Sequence, residues 1–152
     1  MSKSNDKSLE LLHELITTAT QIGPNNTKAI LQSARANVEE YQKLKSEAIQ
    51  NFIITKVCDH FEISRQELIF GSSHGPRTNA LRIAFVICAR TLKLSSSEIA
   101  DIFKKDRGNV SRDIAKYNRF KQEIKEEKMQ TDFCENCIKE TKEFMNSLET
   151  AD

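Results

Sequence analysis

Apolar residues recur along this chain at spacings of three and four from Leu9 to Leu148, the period of helix faces and not of strands. Leu9, Leu12, Leu15 and Ile16 mark a first amphipathic helix that Gly23-Pro24 must stop, and Asn25-Asn26-Thr27 opens a second. In the second helix Leu31, Ala34, Val38, Tyr41, Leu44 and Ala48 keep one stripe, which Phe52, Ile53, Val57, Cys58 and Phe61 continue with a shift of face. That shift predicts either a bend near Gln50-Asn51 or one unbroken helix. Ser64 with Glu67 has the spacing of a capping box, and Ile63 with Leu68 that of a hydrophobic staple, so Arg65 to Phe70 is predicted as a short helix ended by Gly71.

After the loop from Gly71 to Arg77, Thr78 or Asn79 is expected to cap a helix containing Leu81, Ile83, Ala84, Phe85, Val86, Ile87, Cys88, Ala89 and Leu92. This segment is apolar nearly all round, which places it at the buried centre of a module. Its β-branched content also permits a strand, but no second strand exists to pair with it.

The stretch Leu94–Arg119 reads as two short helices. Ser95 and Glu98 repeat the capping box, Leu94 and Ile99 the staple, and Ile99, Ile102 and Phe103 supply one apolar stripe. Lys104 and Lys105 interrupt it, Asp106 is a good N-cap, and Val110, Ile114 and Tyr117 form the buried side of the next helix. Beyond Lys121 the pattern predicts a charged helical continuation. After Thr131-Asp132 a further helix should carry Phe133, Cys134, Cys137, Ile138, Thr141, Phe144, Met145 and Leu148 on one face.

At roughly 100° per residue, the side opposite Val110, Ile114 and Tyr117 holds Gly108, Asn109, Arg112, Lys116 and Arg119. Arginine can bond guanine bidentately, asparagine can do so with adenine, lysine meets phosphate, and glycine lets backbone approach the groove wall. With Lys104, Lys105, Arg107, Ser111, Arg77 and Arg82, these are the candidate DNA-binding residues. The plainer alternative is a solvated basic face that binds nothing.

Charge sharpens this picture through its distribution, since the net is only +1 over 152 residues. Arg77, Arg82, Arg90 and Lys93 are the sole formal charges from Gly71 to Ser97. Between Lys104 and Lys121 basic residues far outnumber Asp106 and Asp113. A basic middle between more acidic ends is the footprint of a module that meets phosphates. No apolar run approaches membrane-span length and the start lacks a signal-peptide core, so a cytoplasmic location is expected. Two prolines and four glycines leave little material for hairpins.

From Val57 to about Tyr117 the chain resembles the carboxy-terminal DNA-binding domain of the bacterial chromosomal replication initiator (DnaA) family. The resemblance is carried by Phe61-Glu62-Ile63-Ser64 with Glu67-Leu68, Ile83-Ala84 followed by Ala89-Arg90, then Leu94, Ser95, Glu98-Ile99 and Phe103, and finally Asp106 with Val110. It covers a little over a third of the chain and implies a Trp-repressor-like helical fold that binds double-stranded DNA through the major groove. The family's Asp-His-Thr-Thr run falls on Asp106, Arg107, Gly108 and Asn109, where only the aspartate is identical. The loop before the central helix, richly basic in that family, holds only His74 and Arg77, and Leu81 with Arg82 beside it replaces an arginine. No phosphate-binding Gly-x-x-x-x-Gly-Lys-Ser/Thr loop exists, so nothing resembles the initiator's ATPase.

Cys134-Glu135-Asn136-Cys137 invites a zinc or redox reading, but tetrahedral zinc needs four ligands and the other cysteines, Cys58 and Cys88, sit singly on apolar faces. Packing or partner-facing roles fit all four better. His13, His60 and His74 form no catalytic or metal spacing, although His74 lies where a loop donor could reach phosphate. No nucleophile-and-base constellation is present.

The expectation is an all-α helical bundle with a central helix-turn-helix, Trp-repressor-like, flanked by long amino- and carboxy-terminal helices: an arm over 1–50, a DNA-binding module over 51–120 and a helical tail over 121–152. The expected partners are double-stranded DNA and a second copy through the terminal helices, with no membrane, nucleotide or cofactor and no enzymatic role. The alternative is a helical adaptor that keeps the fold without DNA affinity.

Overall fold

The computed structural model describes residues 2–72 and 74–150; Ser73 of the loop and the Leu15 side chain fall outside the described set. Among the described residues there are α-helices and no strands: α1 (Ser2–Ile22), α2 (Pro24–Phe61), α3 (Arg65–Phe70), α4 (Pro76–Thr91), α5 (Ser96–Phe103), α6 (Arg107–Asn118) and α7 (Lys125–Thr150). The protein is an all-α helical bundle. No helix among the described residues is long and apolar enough to cross a membrane.

Two compact units divide the chain, Met1–Leu44 and Lys45–Asp152. In the first, α1 stops at Gly23, whose φ of 85° is open to glycine at little cost, and α2 begins at once with Pro24. None of its described residues joins the buried core.

The second unit is built around α4. Ala80, Leu81, Ile83, Ala84, Phe85, Val86, Ile87 and Cys88 are all buried, because a helix without a polar stripe can be stable only when neighbours cover every side. The carboxy-terminal part of α2 offers Ile49, Ile53, Ile54, Val57 and Cys58 to this core, α3 offers Leu68, and α5 offers Ile99 and Phe103. The Phe103 ring meets Phe85 edge-on, with centroids 5.3 Å apart.

α7 closes the remaining side with Cys134, Cys137, Ile138 and Thr141, all buried, flanked by half-buried Phe133, Phe144, Met145 and Leu148. Its seam with α2 is fixed by Phe52 stacked on Phe144 at 4.5 Å, His60 stacked on Phe133 at 3.6 Å and a Lys56–Glu140 ion pair of 2.8 Å.

Both expected capping boxes are present: Ser64 and Glu67, and Ser95 and Glu98, exchange side-chain and backbone hydrogen bonds of 2.7–3.2 Å. Gly71 ends α3, though not by a left-handed turn, since its φ is −68°. It is glycine because a Cβ there would collide with the Glu67 carbonyl oxygen.

Several boundaries differ from expectation. α4 begins at Pro76, with Gly75 (φ 76°) as N-cap, rather than at Thr78 or Asn79; proline suits the first turn because its missing N–H would have no helical partner there. α2 is continuous through Gln50-Asn51. α7 runs unbroken through Thr131-Asp132, because the Thr131 hydroxyl donates back to the Glu127 carbonyl at 2.9 Å and Asp132 pairs with Lys128 at 2.7 Å. By packing the chain divides after Leu44, and the described residues from 121 onward belong to the same compact unit as α5 and α6, which a separate helical tail would not.

That last difference has a measurable consequence. Truncation after Gln130 removes the side chains that seal one side of α4, so the shortened chain is expected to lose its cooperative thermal transition instead of leaving a folded module. A sharp melt close to that of the full chain, followed by circular dichroism, is the contrary result.

Candidate nucleic-acid interface

The turn between α5 and α6 is three residues long. Lys104 adopts a left-handed conformation (φ 56°, ψ 47°), which costs a non-glycine residue roughly 1–2 kcal/mol. The following Lys105 N–H donates to the Ala100 carbonyl at 2.9 Å and locks the corner. Asp106 has the extended N-cap backbone, and its carbonyl accepts from the N–H groups of Asn109 and Val110 at 3.0 and 3.2 Å, but its carboxylate makes no capping bond. The Ser111 hydroxyl donates to that of Ser96 at 3.0 Å, tying α6 to the start of α5.

The inward face of α6 is Val110 and Tyr117, both buried, with Ile114 half-buried. Two arginines of α4 fix its orientation. Arg90 lies over the Tyr117 ring, 5.3 Å from its centroid, and pairs with Glu135 of α7 at 2.8 Å. Arg82, only 4% exposed, faces the Asp113 carboxylate at 3.4 Å, an ion-pair distance without hydrogen-bond geometry. It also donates to Asn79 Oδ1 at 3.1 Å and lies over the Phe120 ring at 5.7 Å.

Arg82 is therefore withdrawn from any external partner, contrary to its place among the candidate DNA contacts. Arg77 is withdrawn too. At 8% exposure, its guanidinium donates to the carbonyls of Leu68, Ser72 and Ile69 at 3.0, 2.9 and 3.1 Å. It holds the end of α3 to the start of α4, a task no sequence spacing announces. The Lys105 ammonium donates to the same Ile69 carbonyl at 2.9 Å. Burial first, and the neighbouring Arg77 charge second, lower its pKa from the usual lysine value.

The outward face of α6 keeps the other candidates. Lys104, Arg107, Gly108, Asn109, Ser111, Arg112, Lys116 and Arg119 are all exposed. Arg112 donates to the Asn109 side-chain oxygen, which presents the amide and guanidinium side by side. Ala115, outside the candidate set, is exposed on the same face; its methyl is of the kind that contacts thymine. The helical wheel that selected Arg112 and Arg119 also points to Ala115, but a small apolar residue carries no charge signal.

A Cβ added to Gly108 would meet nothing within 4 Å, so the protein's own packing does not require glycine there. Between this face and the start of α4 lies an open cleft of about 390 Å³ bordered by Thr78, Leu81, Lys105, Asn109, Arg112 and Asp113. Asp113 is the carboxylate on its wall, and it is turned to Arg82.

The cysteines lie on the opposite side of the chemistry. All four are free and buried. Burial pushes the Cys88 thiol up to about 12 and the Cys134 thiol up to about 11, and raises Cys58 and Cys137 as well. No cluster of three or more metal-ligating side chains exists among the described residues. Protein-family models, curated proteins and solved structures give no match to this chain.

Two measurements separate the internal cations from the external ones and the inert thiols from reactive ones. Arg77→Ala removes three hydrogen bonds, leaves the Leu68 and Ser72 carbonyls without their side-chain donor while Lys105 still serves Ile69, and is expected to destabilise the fold by about 2–4 kcal/mol in urea titration. Arg112→Ala should stay within about 0.5 kcal/mol of the parent. At pH 8 the native thiols should resist a disulfide reagent such as Ellman's, with Cys58 (8% exposed) reacting first, while all four react promptly in denaturant. A rapid native reaction of Cys134 or Cys137 would contradict the buried placement.

Proposed function

We propose that this chain binds double-stranded DNA by laying the exposed face of α6 in the major groove, and that it does so in the control of transcription or replication. The observation that carries the reading is the outward set Gly108, Asn109, Arg112, Lys116 and Arg119 on one helix, mounted on a frame that holds its inward face by Val110, Tyr117, Arg82 and Arg90. Such a helix reads base edges from its first turns while the flanking cations meet phosphate. The residue pattern shared with the initiator family's DNA-binding domain supports the same placement of contact.

On this reading Arg112 and Asn109 specify bases, and Lys104, Arg107, Lys116 and Arg119 position the protein through phosphates. Arg77, Arg82 and Lys105 act only by building the frame. A second reading, a helical adaptor without DNA affinity, is favoured by that withdrawal of three cations and by Asp113 on the cleft wall.

Binding to mixed-sequence duplex across a salt titration decides between them. DNA binding predicts a log–log slope that falls in magnitude by about 0.9 for each phosphate contact removed. Arg112→Ala with Lys116→Ala is expected to abolish measurable binding at unchanged helicity. Gly108→Ala should leave stability equal or raise it by up to about 1 kcal/mol, since alanine is the better helix former, yet weaken DNA binding by crowding the groove wall. A flat salt dependence in the parent overturns the DNA reading in favour of the adaptor.

A further inference from the structure

The unit Met1–Leu44 consists of helix with its apolar faces uncovered. Among the described residues, nine of the twelve large apolar side chains that are exposed lie here: Leu9, Leu11, Leu12 and Ile16 on α1, and Ile30, Leu31, Val38, Tyr41 and Leu44 on α2, each 46–65% exposed. Elsewhere among the described residues Phe70, Ile124 and Met129 are so placed. Such density on one segment marks an interaction surface. Even a helix of 21 residues such as α1 draws most of its stability from packing an apolar face and not from propensity.

We infer that α1 and the Pro24–Leu44 part of α2 form the interface of a homodimer, with α1 of each copy lying on α2 of the other in a four-helix arrangement. Three observations select a second copy as the occupant. Full burial of a large apolar side chain corresponds to roughly 60–120 Å², so nine side chains per copy that are 46–65% exposed remove about 600–1,200 Å² in a pair, which reaches the lower edge of the standard interface size before flanking polar atoms are added.

Charge points the same way. Along the α1 stripe from Leu9 to Ile16 the formal charges are Glu10 and Glu14, whereas from Lys28 to Leu44 of α2 they are Lys28, Arg35 and Lys43 against Glu39 and Glu40, with Arg35 paired to Glu39 at 3.1 Å. The acidic stripe of one copy thus meets a segment with one net positive charge on the other, Lys28 and Lys43 being its cations outside that pair, and twofold symmetry makes the match twice. Two amphipathic helices per copy also supply the four that a closed bundle needs. The acidic flank of α1 argues against an anionic lipid surface, which draws helices flanked by lysine and arginine. The stripe on α7 is not the interface, because Cys134, Cys137, Ile138 and Thr141 are already buried against their own chain.

The inference is independent of DNA binding and is tested without DNA. Sedimentation equilibrium of the full chain at tens of micromolar should give twice the monomer mass of 17.4 kDa. Leu12→Glu with Ile16→Glu, and separately Leu31→Glu with Val38→Glu, should each return the monomer mass while keeping the thermal transition of the Lys45–Asp152 unit. Glu10→Lys with Glu14→Lys should weaken the dimer, and adding Lys28→Glu with Arg35→Glu should restore it. A parent chain that is monomeric at these concentrations overturns the inference, as does a dimer that survives both glutamate pairs. Retention on phosphatidylserine vesicles by a monomeric parent would assign the surface to lipid instead.

Discussion

Burial of α4 on every side from Ala80 to Cys88 is the constraint from which the rest of the Lys45–Asp152 unit follows. A helix carrying Ile83, Phe85, Val86 and Ile87 on successive faces has no side to turn to water, so α2, α3, α5, α6 and α7 must each present apolar side chains toward it. Their order around α4 then determines where polar groups can emerge. α6 is held inward by Val110 and Tyr117, which leaves its other side, with Arg107, Arg112 and Lys116, exposed on a packed support. The support comes from tertiary packing, since α3 and α5 have only 6 and 8 residues and would not persist alone.

Arginine has two fates in this structure, decided by what lies within reach of the guanidinium. Where unpaired carbonyl oxygens cluster at the end of α3, Arg77 satisfies three of them and becomes part of the frame. Arg82 is drawn in by Asp113 and Phe120, and Arg90 spans Tyr117 and Glu135. These contacts join α4 to α6 and α7, so the helix proposed to read DNA is oriented by one buried cation, Arg82, and one partly exposed cation, Arg90. The proposed contact surface is consequently smaller and more sharply bounded than a count of basic residues suggests. It is confined to α6 and the corner before it.

What the sequence made legible was local or one-sided. The boxes at Ser64–Glu67 and Ser95–Glu98 are completed within a single turn and need no tertiary partner, so spacing alone reveals them. The central position of α4 is readable because its composition excludes every alternative. The fate of Arg77 was not readable, since it depends on carbonyls contributed by α3 and the loop, five to nine residues earlier in the chain. Thr131-Asp132 looks like a helix start because both residues favour caps; only the Thr131 bond back to Glu127 shows why the helix continues. Stripes on α2 and α7 look alike in sequence. Periodicity states that a face is apolar and is silent on what covers it, which is why the division after Leu44 and the incorporation of α7 both had to come from packing.

Lys104 carries a consequence for how this surface can vary between generations. Its left-handed backbone is imposed from outside, by the Ala100 carbonyl that captures the next N–H and by Phe103 anchored at zero exposure, and its own side chain contributes nothing to the corner's shape. The residue there is therefore interchangeable: glycine or asparagine would occupy the same backbone with less strain. Charge at the corner is thus genetically separable from the angle at which α6 is presented. Selection can adjust the electrostatic attraction of this surface one lysine at a time without disturbing the geometry of the face beside it.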